Sequence, residues 1–218
     1  MRRIFLAGGT GYLGRPLIQA LLERGHQVRA LVRSGSEGRL PSGCVAVPGD
    51  PLEEESWARL LPPADTLVQL VGTSRPAPWK ADQFRRVDLQ AVRAAVVAAV
   101  QARIEHFVYV SVAQPAPLMK AYVRVRAECE ERIHSSGLNA TILRPWYVLG
   151  PGRRWPHLLR PFYWLFERFP GTRETAWRLG LVTREEMLQA LLQAVENPAR
   201  GVRIMEVPGI RAAGARRD

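Results

Sequence analysis

A glycine-rich segment constrains the fold of this chain more than any other feature. It reads Gly8-Gly9-Thr10-Gly11-Tyr12-Leu13-Gly14. A short apolar run, residues 3–7, comes directly before it. The helical pattern of residues 12–24 follows, with leucines at every fourth position and Gly25 as a stop signal. Three glycines between a strand and a helix predict a tight turn at which the helix begins close to the strand.

Each glycine of this turn has a physical reason for its place. Gly8 permits the tight turn, Gly11 lets a pyrophosphate approach the backbone, and Gly14 lets the helix pack against the strand. The helix N-terminus then offers free N–H groups and a positive dipole end to the phosphates. We therefore predict a dinucleotide site, the alternative being a tight turn without a ligand. The predicted contacts in this segment are Gly8, Thr10, Gly11, Tyr12, Leu13 and Gly14.

Apolar or β-branched runs alternate with longer helical patterns along the rest of the chain. This order predicts parallel strands joined by helical crossovers, which is an α/β doubly wound parallel sheet of the Rossmann type. The predicted strands cover residues 3–7, 27–32, 44–48, 66–71, 106–111, 140–144 and 203–207. The predicted helices cover residues 12–24, 53–61, 80–102, 120–136 and 185–196, the last with Thr183 as its N-cap.

The length of 218 residues and a hydrophobic content of 47% predict one globular domain. We assign residues 1–210 to it, with 145–200 contributing a small C-terminal substrate cap and 211–218 forming a flexible, solvated tail. Cys44 and Cys129 lie in no metal-binding spacing, so we predict no metal site. No signal-like or membrane-spanning apolar run is present, so we expect a cytoplasmic protein.

The chain is basic, with 31 Lys and Arg against 20 Asp and Glu and a formal net charge of +11. Such a surplus attracts anions, including nucleotide phosphates, nucleic acid and acidic membrane surfaces. The basic residues are spread along the chain without a recognition helix or an aromatic-interleaved pattern. We therefore expect a small-molecule substrate and no nucleic-acid partner.

Further short segments follow the predicted strands in a fixed order. They are Gly49-Asp50, Val71-Gly72-Thr73, residues 107–111 and Leu143-Arg144-Pro145. Together with the GxxGxxG spacing of residues 8–14, they resemble the extended and atypical branches of the short-chain dehydrogenase/reductase family. The short C-terminal part makes the chain more similar to NmrA-like proteins and to the nucleotide-binding accessory subunit of respiratory complex I than to sugar-nucleotide epimerases. The resemblance implies a cofactor site that includes Val71, Gly72 and Pro145.

The end of the second strand favours NADP(H) over NAD(H). An NAD site usually has an acidic residue there for the ribose hydroxyls, whereas this chain has Val32 followed by Arg33 and Ser34. A guanidinium beside a hydroxyl suits a 2′-phosphate. The alternative is that Arg33 is simply a solvated arginine. The resemblance implies that Asp50 contacts the adenine, the alternative being that Asp50-Pro51 is simply a turn.

The resemblance also implies a serine after the fifth strand and a Tyr-x-x-x-Lys pair on the next helix. Ser111 and Tyr122 match, but lysine is replaced by Arg126. Tyr122 and Arg126 are four residues apart and share one helix face. In the implied mechanism Tyr122 is the general acid or base, Ser111 orients the carbonyl and Arg126 holds the ribose. Because a planar guanidinium need not replace an ammonium, Tyr122 could instead pack near the nicotinamide without reacting.

The segment after Pro145 should set substrate selectivity, because ligands bind outside the carboxyl ends of strands in such sheets. Residues 155–169 are unusually aromatic. We expect them to form core and pocket wall, the alternatives being a homodimer contact, a lid or a peripheral membrane contact. His157 has no partner that would make it a catalyst.

Two functions therefore stay open. One is an NADP(H)-dependent oxidoreductase or isomerase acting on a small apolar or quinone-like carbonyl. The other is a non-catalytic NADP(H)-binding redox sensor or assembly protein, in which the bound cofactor stabilises a surface for a partner. The first is favoured by Ser111 and Tyr122, the second by Arg126 and the short cap. The protein is expected to be a monomer or a homodimer.

Overall fold

A computed structural model describes residues 1–74, 76–116, 118–150 and 179–215. Seven parallel strands form one sheet. They are β1 (Arg3–Ala7), β2 (Gln27–Val32), β3 (Val45–Pro48), β4 (Thr66–Gln69), β5 (His106–Val110), β6 (Ala140–Arg144) and β9 (Val202–Glu206). Their order across the sheet is β3-β2-β1-β4-β5-β6-β9. The strand order reverses between β1 and β4, which confirms the doubly wound α/β prediction.

Helices cover both faces of the sheet. They are α1 (Gly14–Glu23), α2 (Ala81–Gln83), α3 (Gln90–Gln101), α4 (Lys120–Ser135), α5 (Arg184–Glu196) and α6 (Val207–Ala215). The strands bury side chains on both faces, so two apolar layers form, one under α3 and α4 and the other under α1, α5 and α6. In the described part of the chain no helix is both long and apolar enough to cross a membrane.

Two helices predicted on the face of the sheet that α3 and α4 cover differ in the structure from the regular helices expected. Residues 53–61 form two short 3₁₀ turns, because Trp57 leaves the helical conformation and buries its ring against Phe5. The run 80–102 is interrupted by a π-helical turn, Phe84–Leu89, between α2 and α3. A π-helical turn adds a residue to the helix and often marks a functional site. Here it contains Asp88, which is fully buried.

The C-terminal part adds elements that the pattern did not predict. A second, two-stranded parallel sheet joins β7 (Tyr147–Leu149) to β8 (Leu181–Thr183). Thr183 caps α5 as predicted, and its hydroxyl accepts from the N–H of Glu186 at 3.1 Å. The prediction of a solvated tail is wrong for residues 211–215, which belong to α6. That helix buries Val207 and Ile210.

Part of the predicted cap lies outside the described residues. This applies to the aromatic segment 155–169 and to His157.

The buried His106 makes stability depend on pH. Burial, with Arg203 and Arg2 nearby, lowers the pKa of His106 to about 4, from an ordinary value of 6.5. Its Nδ1 is buried and has no hydrogen-bond partner among the described residues, while Nε2 lies 3.0 Å from the hydroxyl of Thr141. Because the unfolded chain binds a proton more readily, the free energy of unfolding should fall by roughly 2 kcal/mol between pH 6.5 and pH 4.

Urea unfolding at several pH values checks this prediction. In His106→Gln the fall between pH 6.5 and 4 should be smaller, since glutamine does not titrate. Asp65 and Glu196, whose pKa values are lowered, lose their contribution at more acidic pH in both proteins. An equally steep fall in the variant would show that His106 is not the source.

Candidate functional site

The predicted site residues gather at the carboxyl edge of the sheet. The glycine turn follows β1, Arg33 and Ser34 follow β2, Asp50 follows β3, and Val71 and Gly72 follow β4. Ser111 and Pro145 follow β5 and β6. Because all these strands are parallel, one edge of the sheet brings the residues together, next to the reversal of strand order.

The glycine turn has the geometry that a phosphate-binding turn needs. Gly8 has a φ of 93°, which favours glycine, and its carbonyl accepts from the N–H of Gly11 at 3.0 Å. A Cβ on Gly14 would overlap the Gly8 oxygen and lie 2.8 Å from the Cα of Gly9. The first turn of α1 therefore rests directly on the backbone of the turn. A cleft lined by Thr10, Gly11 and Tyr12 opens beside its N-terminus, and the residues present fit a dinucleotide.

The ends of β2 and β3 differ in how their polar groups are used. Arg33 and Ser34 are exposed, and Arg33 has no ion-pair partner in the described part of the chain. Asp50 is half-buried, and its Oδ1 accepts from the N–H of Leu52 at 2.9 Å. Asp50 thus holds the turn after β3, its adenine contact stays a prediction, and Arg33 remains available to an anion.

A buried carboxylate organises the end of β4. Asp88, from the π-helical turn, accepts from the N–H of Thr73 at 2.9 Å and from its hydroxyl at 2.5 Å. A Cβ on Gly72 would lie 2.5 Å from a guanidinium nitrogen of Arg126 and 3.0 Å from Oδ1 of Asp88. The segment that follows β4 is therefore fixed by this carboxylate and packs closely on its charged partner.

Arg126 has its own protein partners. Its Nη2 donates to Asp88 at 2.6 Å, and its Nη1 donates at 2.8 Å to both the hydroxyl of Tyr109 and the carbonyl of Val110. The side chains of this ion pair are 7% and 0% exposed. Both terminal nitrogens of the guanidinium are thus engaged inside the protein, so the predicted ribose contact of Arg126 stays a prediction.

Tyr122 lies beside this ion pair. The guanidinium carbon of Arg126 is 5.0 Å from the Tyr122 ring centre, and the ring of Phe84 packs against it at 4.9 Å. Burial raises the pKa of the Tyr122 hydroxyl above its ordinary value of 10.0, and the charge of Arg126 only partly opposes this. A general base at neutral pH needs the opposite shift.

Ser111 is held by a second buried carboxylate. Its hydroxyl donates to Glu130, which also accepts from Gln114 at 2.6 Å and from the guanidinium of Arg144 at 2.5 Å. Ser111 and Glu130 are 4% and 3% exposed. The serine that the resemblance assigned to a substrate carbonyl therefore donates its hydrogen bond to the carboxylate of Glu130.

The sequence interpretation missed Asp88, Tyr109 and Glu130. Asp88 occurs in a run read as one regular helix, so its inward direction was not evident. Glu130 lies four residues after Arg126 on α4 and shares its inward face. Two polar residues with that spacing in an otherwise apolar stripe were the available signal.

Comparison with known proteins shows the family to which the chain belongs. The family described as NAD(P)H-binding matches residues 8–154 of the 218. The chain belongs to this NAD(P)H-binding family. The matched range includes the glycine turn, the π-helical turn and all of α4.

Two relatives show the range of proteins to which this NAD(P)H-binding chain is similar. It is 32% identical over 148 residues to the photosystem II assembly factor Ycf39 of Cyanophora paradoxa, covering 65% of this chain and 44% of the relative. It is 28% identical over 170 residues to a 4-hydroxy-2-methyl-3-oxo-4-farnesyl-3,4-dihydroquinoline-1-oxide ketoreductase of Stigmatella aurantiaca, covering 68% and 51%. The chain spans about half the length of these relatives.

A solved structure supports the same architecture. The enzyme WbmH of Bordetella bronchiseptica, in complex with NAD⁺, matches with a TM-score of 0.71 and 20% identity. The match covers 94% of this chain and 76% of that one. The family match and this structural likeness confirm the predicted Rossmann-type NAD(P)H-binding domain.

Proposed function

We propose that this NAD(P)H-binding protein prefers NADP(H) and acts through the bound state of the cofactor rather than through hydride transfer. The observation that carries the second part is the buried ion pair of Arg126 with Asp88. In the family's mechanism a cation at this position holds the ribose and lowers the pKa of the tyrosine. Here the guanidinium is engaged by protein groups, and burial raises the pKa of Tyr122.

Ser111 supports the same proposal. Its hydroxyl donates to Glu130, so it would have to break a charge-assisted hydrogen bond before it could orient a substrate. When bound, the cofactor would supply a hydride donor. The described residues offer it a binding turn, while Ser111 and Arg126 are engaged by protein carboxylates and the raised pKa of Tyr122 does not suit a general base at neutral pH.

In such a protein the cofactor acts as a structural ligand. Binding to the folded state alone stabilises that state by about 2.7 kcal/mol at a hundredfold excess over Kd. This stabilisation would hold together the loops after β1, β2 and β4, whose surface a partner could recognise. The name of the Cyanophora paradoxa relative, an assembly factor, is in keeping with this proposal.

The reductase name of the Stigmatella aurantiaca relative keeps a second function in view. On that proposal the protein reduces a small apolar or quinone-like carbonyl, with Tyr122 as proton donor and residues 145–200 shaping the substrate pocket. The protonated state that burial favours for Tyr122 is the one that a proton donor needs. The cytoplasmic location and the monomeric or dimeric state also stay predictions.

The preference for NADP(H) rests on Arg33 and is tested by its removal. Charge-assisted hydrogen bonds contribute about 1.5 to 3 kcal/mol, so Arg33→Ala should weaken NADPH binding roughly 10- to 100-fold and leave NADH binding nearly unchanged. Calorimetric titration of both cofactors measures this. Arg200→Ala is the matched control, because Arg200 is also exposed but precedes β9 at the opposite edge of the sheet. Equal losses for NADPH and NADH would contradict the 2′-phosphate assignment.

Turnover distinguishes the two functions. Protein saturated with NADPH should not oxidise it in the presence of simple quinones and aldehydes, although NADPH should raise Tm. If oxidation is observed and Tyr122→Phe abolishes it at unchanged NADPH affinity, the reductase function is correct instead.

A further inference from the structure

A cleft of about 800 Å³ opens beside the glycine turn, along the outer side of α1. Its lining includes Thr10, Gly11, Tyr12, Arg15, Ser42 and Arg184. None of the described residues that line it is acidic. Two guanidinium groups therefore face a shared space that contains hydroxyl groups and no carboxylate, a combination that suits an anionic ligand.

Arg15 occupies the first turn of α1. Its N–H donates to the carbonyl of Gly11 at 3.3 Å, so the two residues lie one above the other on the helix. Helical side chains lean towards the N-terminus, which directs Arg15 over Thr10 and Gly11. Arg15 is exposed, and the described part of the chain gives it no ion-pair partner. Its charge is therefore available at the phosphate-binding end of the helix.

Arg184 reaches the same cleft from the start of α5. Its guanidinium carbon lies 5.8 Å from the ring centre of Tyr12, which belongs to the glycine turn. Its ion pair is with its exposed neighbour Glu185, at 3.5 Å. The Nε of Arg184 is buried and has no hydrogen-bond partner among the described residues. The side chain as a whole is still 29% exposed, which leaves its charge accessible to an anion in the cleft.

The position of Tyr12 explains how Arg184 is held. The Tyr12 ring lies under the guanidinium, and its hydroxyl lies so close to Gly150 that a Cβ there would overlap it. Stacking on an aromatic ring restricts a guanidinium without neutralising its charge. Arg184 is thus positioned next to the turn that the proposed function assigns to the pyrophosphate.

We propose that Arg15 and Arg184 bind the pyrophosphate of the dinucleotide from the outer side of the glycine turn. This proposal rests on the proposed function, because it requires a dinucleotide on that turn. The pyrophosphate is common to NADPH and NADH, so the two arginines strengthen binding of either cofactor, whereas Arg33 distinguishes between them.

The test is calorimetric titration of NADPH, NADH and ADP-ribose against Arg15→Ala and Arg184→Ala. Each substitution should weaken all three ligands to a similar extent, roughly tenfold, as expected for one charge-assisted hydrogen bond. Arg15→Lys keeps the charge and should lose less. Arg93→Ala is the control, since it removes one exposed positive charge from α3 on the opposite face of the sheet.

The outcomes separate this proposal from the proposed function. Wild-type protein that binds neither NADPH nor NADH would contradict the proposed function itself. Tight wild-type binding with Arg15→Ala and Arg184→Ala indistinguishable from Arg93→Ala would overturn the arginine pair alone. A loss restricted to NADPH would also overturn it, since it would place the two arginines at the 2′-phosphate. Arg15 is exposed, so its substitution should leave the fold intact, and it tests the proposal even if Arg184→Ala disturbs Tyr12.

Discussion

Replacing Gly14 by alanine should abolish measurable cofactor binding and also destabilise the fold. The added Cβ would overlap the carbonyl oxygen of Gly8 and come within 2.9 Å of the Gly9 carbonyl carbon. Both neighbours are backbone atoms, which cannot rotate away, so α1 must move off the turn. Overpacking of this kind costs about 1 to 3 kcal/mol, occasionally more, and we expect the upper end here. Moving the N–H groups of α1 should weaken NADPH binding by at least ~100-fold.

Calorimetric titration and urea unfolding measure the two effects. The matched control is Gly38→Ala, because a Cβ on Gly38 meets nothing within 4 Å and its backbone is not in the left-handed region. Gly38→Ala should bind NADPH like the wild type. If Gly14→Ala retained wild-type affinity and stability, the close packing of α1 on the turn would be wrong.

The sheet could be predicted because local patterns decide it. Each buried strand is an apolar run with turn residues at its ends, and β1, β2 and β6 have the predicted bounds. The other strands of the main sheet differ only at their ends. The α1 helix begins two residues later than predicted, at Gly14, because Tyr12 and Leu13 still belong to the turn.

The elements that were predicted incorrectly depend on distant contacts. Residues 54–60 would suit a helix by composition, but the burial of Trp57 against Phe5 divides them into two turns. Residues 211–215 have little to bury themselves, yet they form the end of a helix that Val207 and Ile210 anchor. The guanidinium of Arg211 there donates to the carbonyl of Leu181 at 2.8 Å. No window of a single sequence contains both partners of such contacts.

In the candidate site too, features that depend on local sequence could be predicted and features that depend on distant contacts could not. The glycine turn and Arg33 follow directly from their neighbours in the chain, so spacing identified them. The partners of Arg126 and Ser111 come from elsewhere, since Asp88 is 38 residues from Arg126 and Glu130 is 19 residues from Ser111. Sequence could identify the residues of this catalytic pattern, but it could not show that protein carboxylates engage them.

Replacing Arg126 by methionine should be the most destabilising single change at the site. It removes the cation while leaving the Asp88 carboxyl group fully buried and without its ion-pair partner. Breaking one partner of a buried ion pair costs about 3 to 5 kcal/mol, which should lower Tm by roughly 10 °C. Arg126→Lys keeps the charge, but one ammonium cannot reproduce the contacts with Asp88, Tyr109 and Val110, so we expect an intermediate loss.

The double variant Asp88→Asn with Arg126→Met distinguishes the stability lost through an unpaired charge from the stability lost through poorer packing. Asparagine can still accept from the N–H and hydroxyl of Thr73, and the pair is then neutral, so most of the lost stability should return. Additive losses in thermal unfolding would instead show that the two side chains do not act as a pair. In that case Arg126 would not be committed to Asp88, and it could hold the cofactor ribose as the family's lysine does. Coupling between the two substitutions would therefore favour a site that only binds the cofactor. Additive losses would favour a site that can support catalysis.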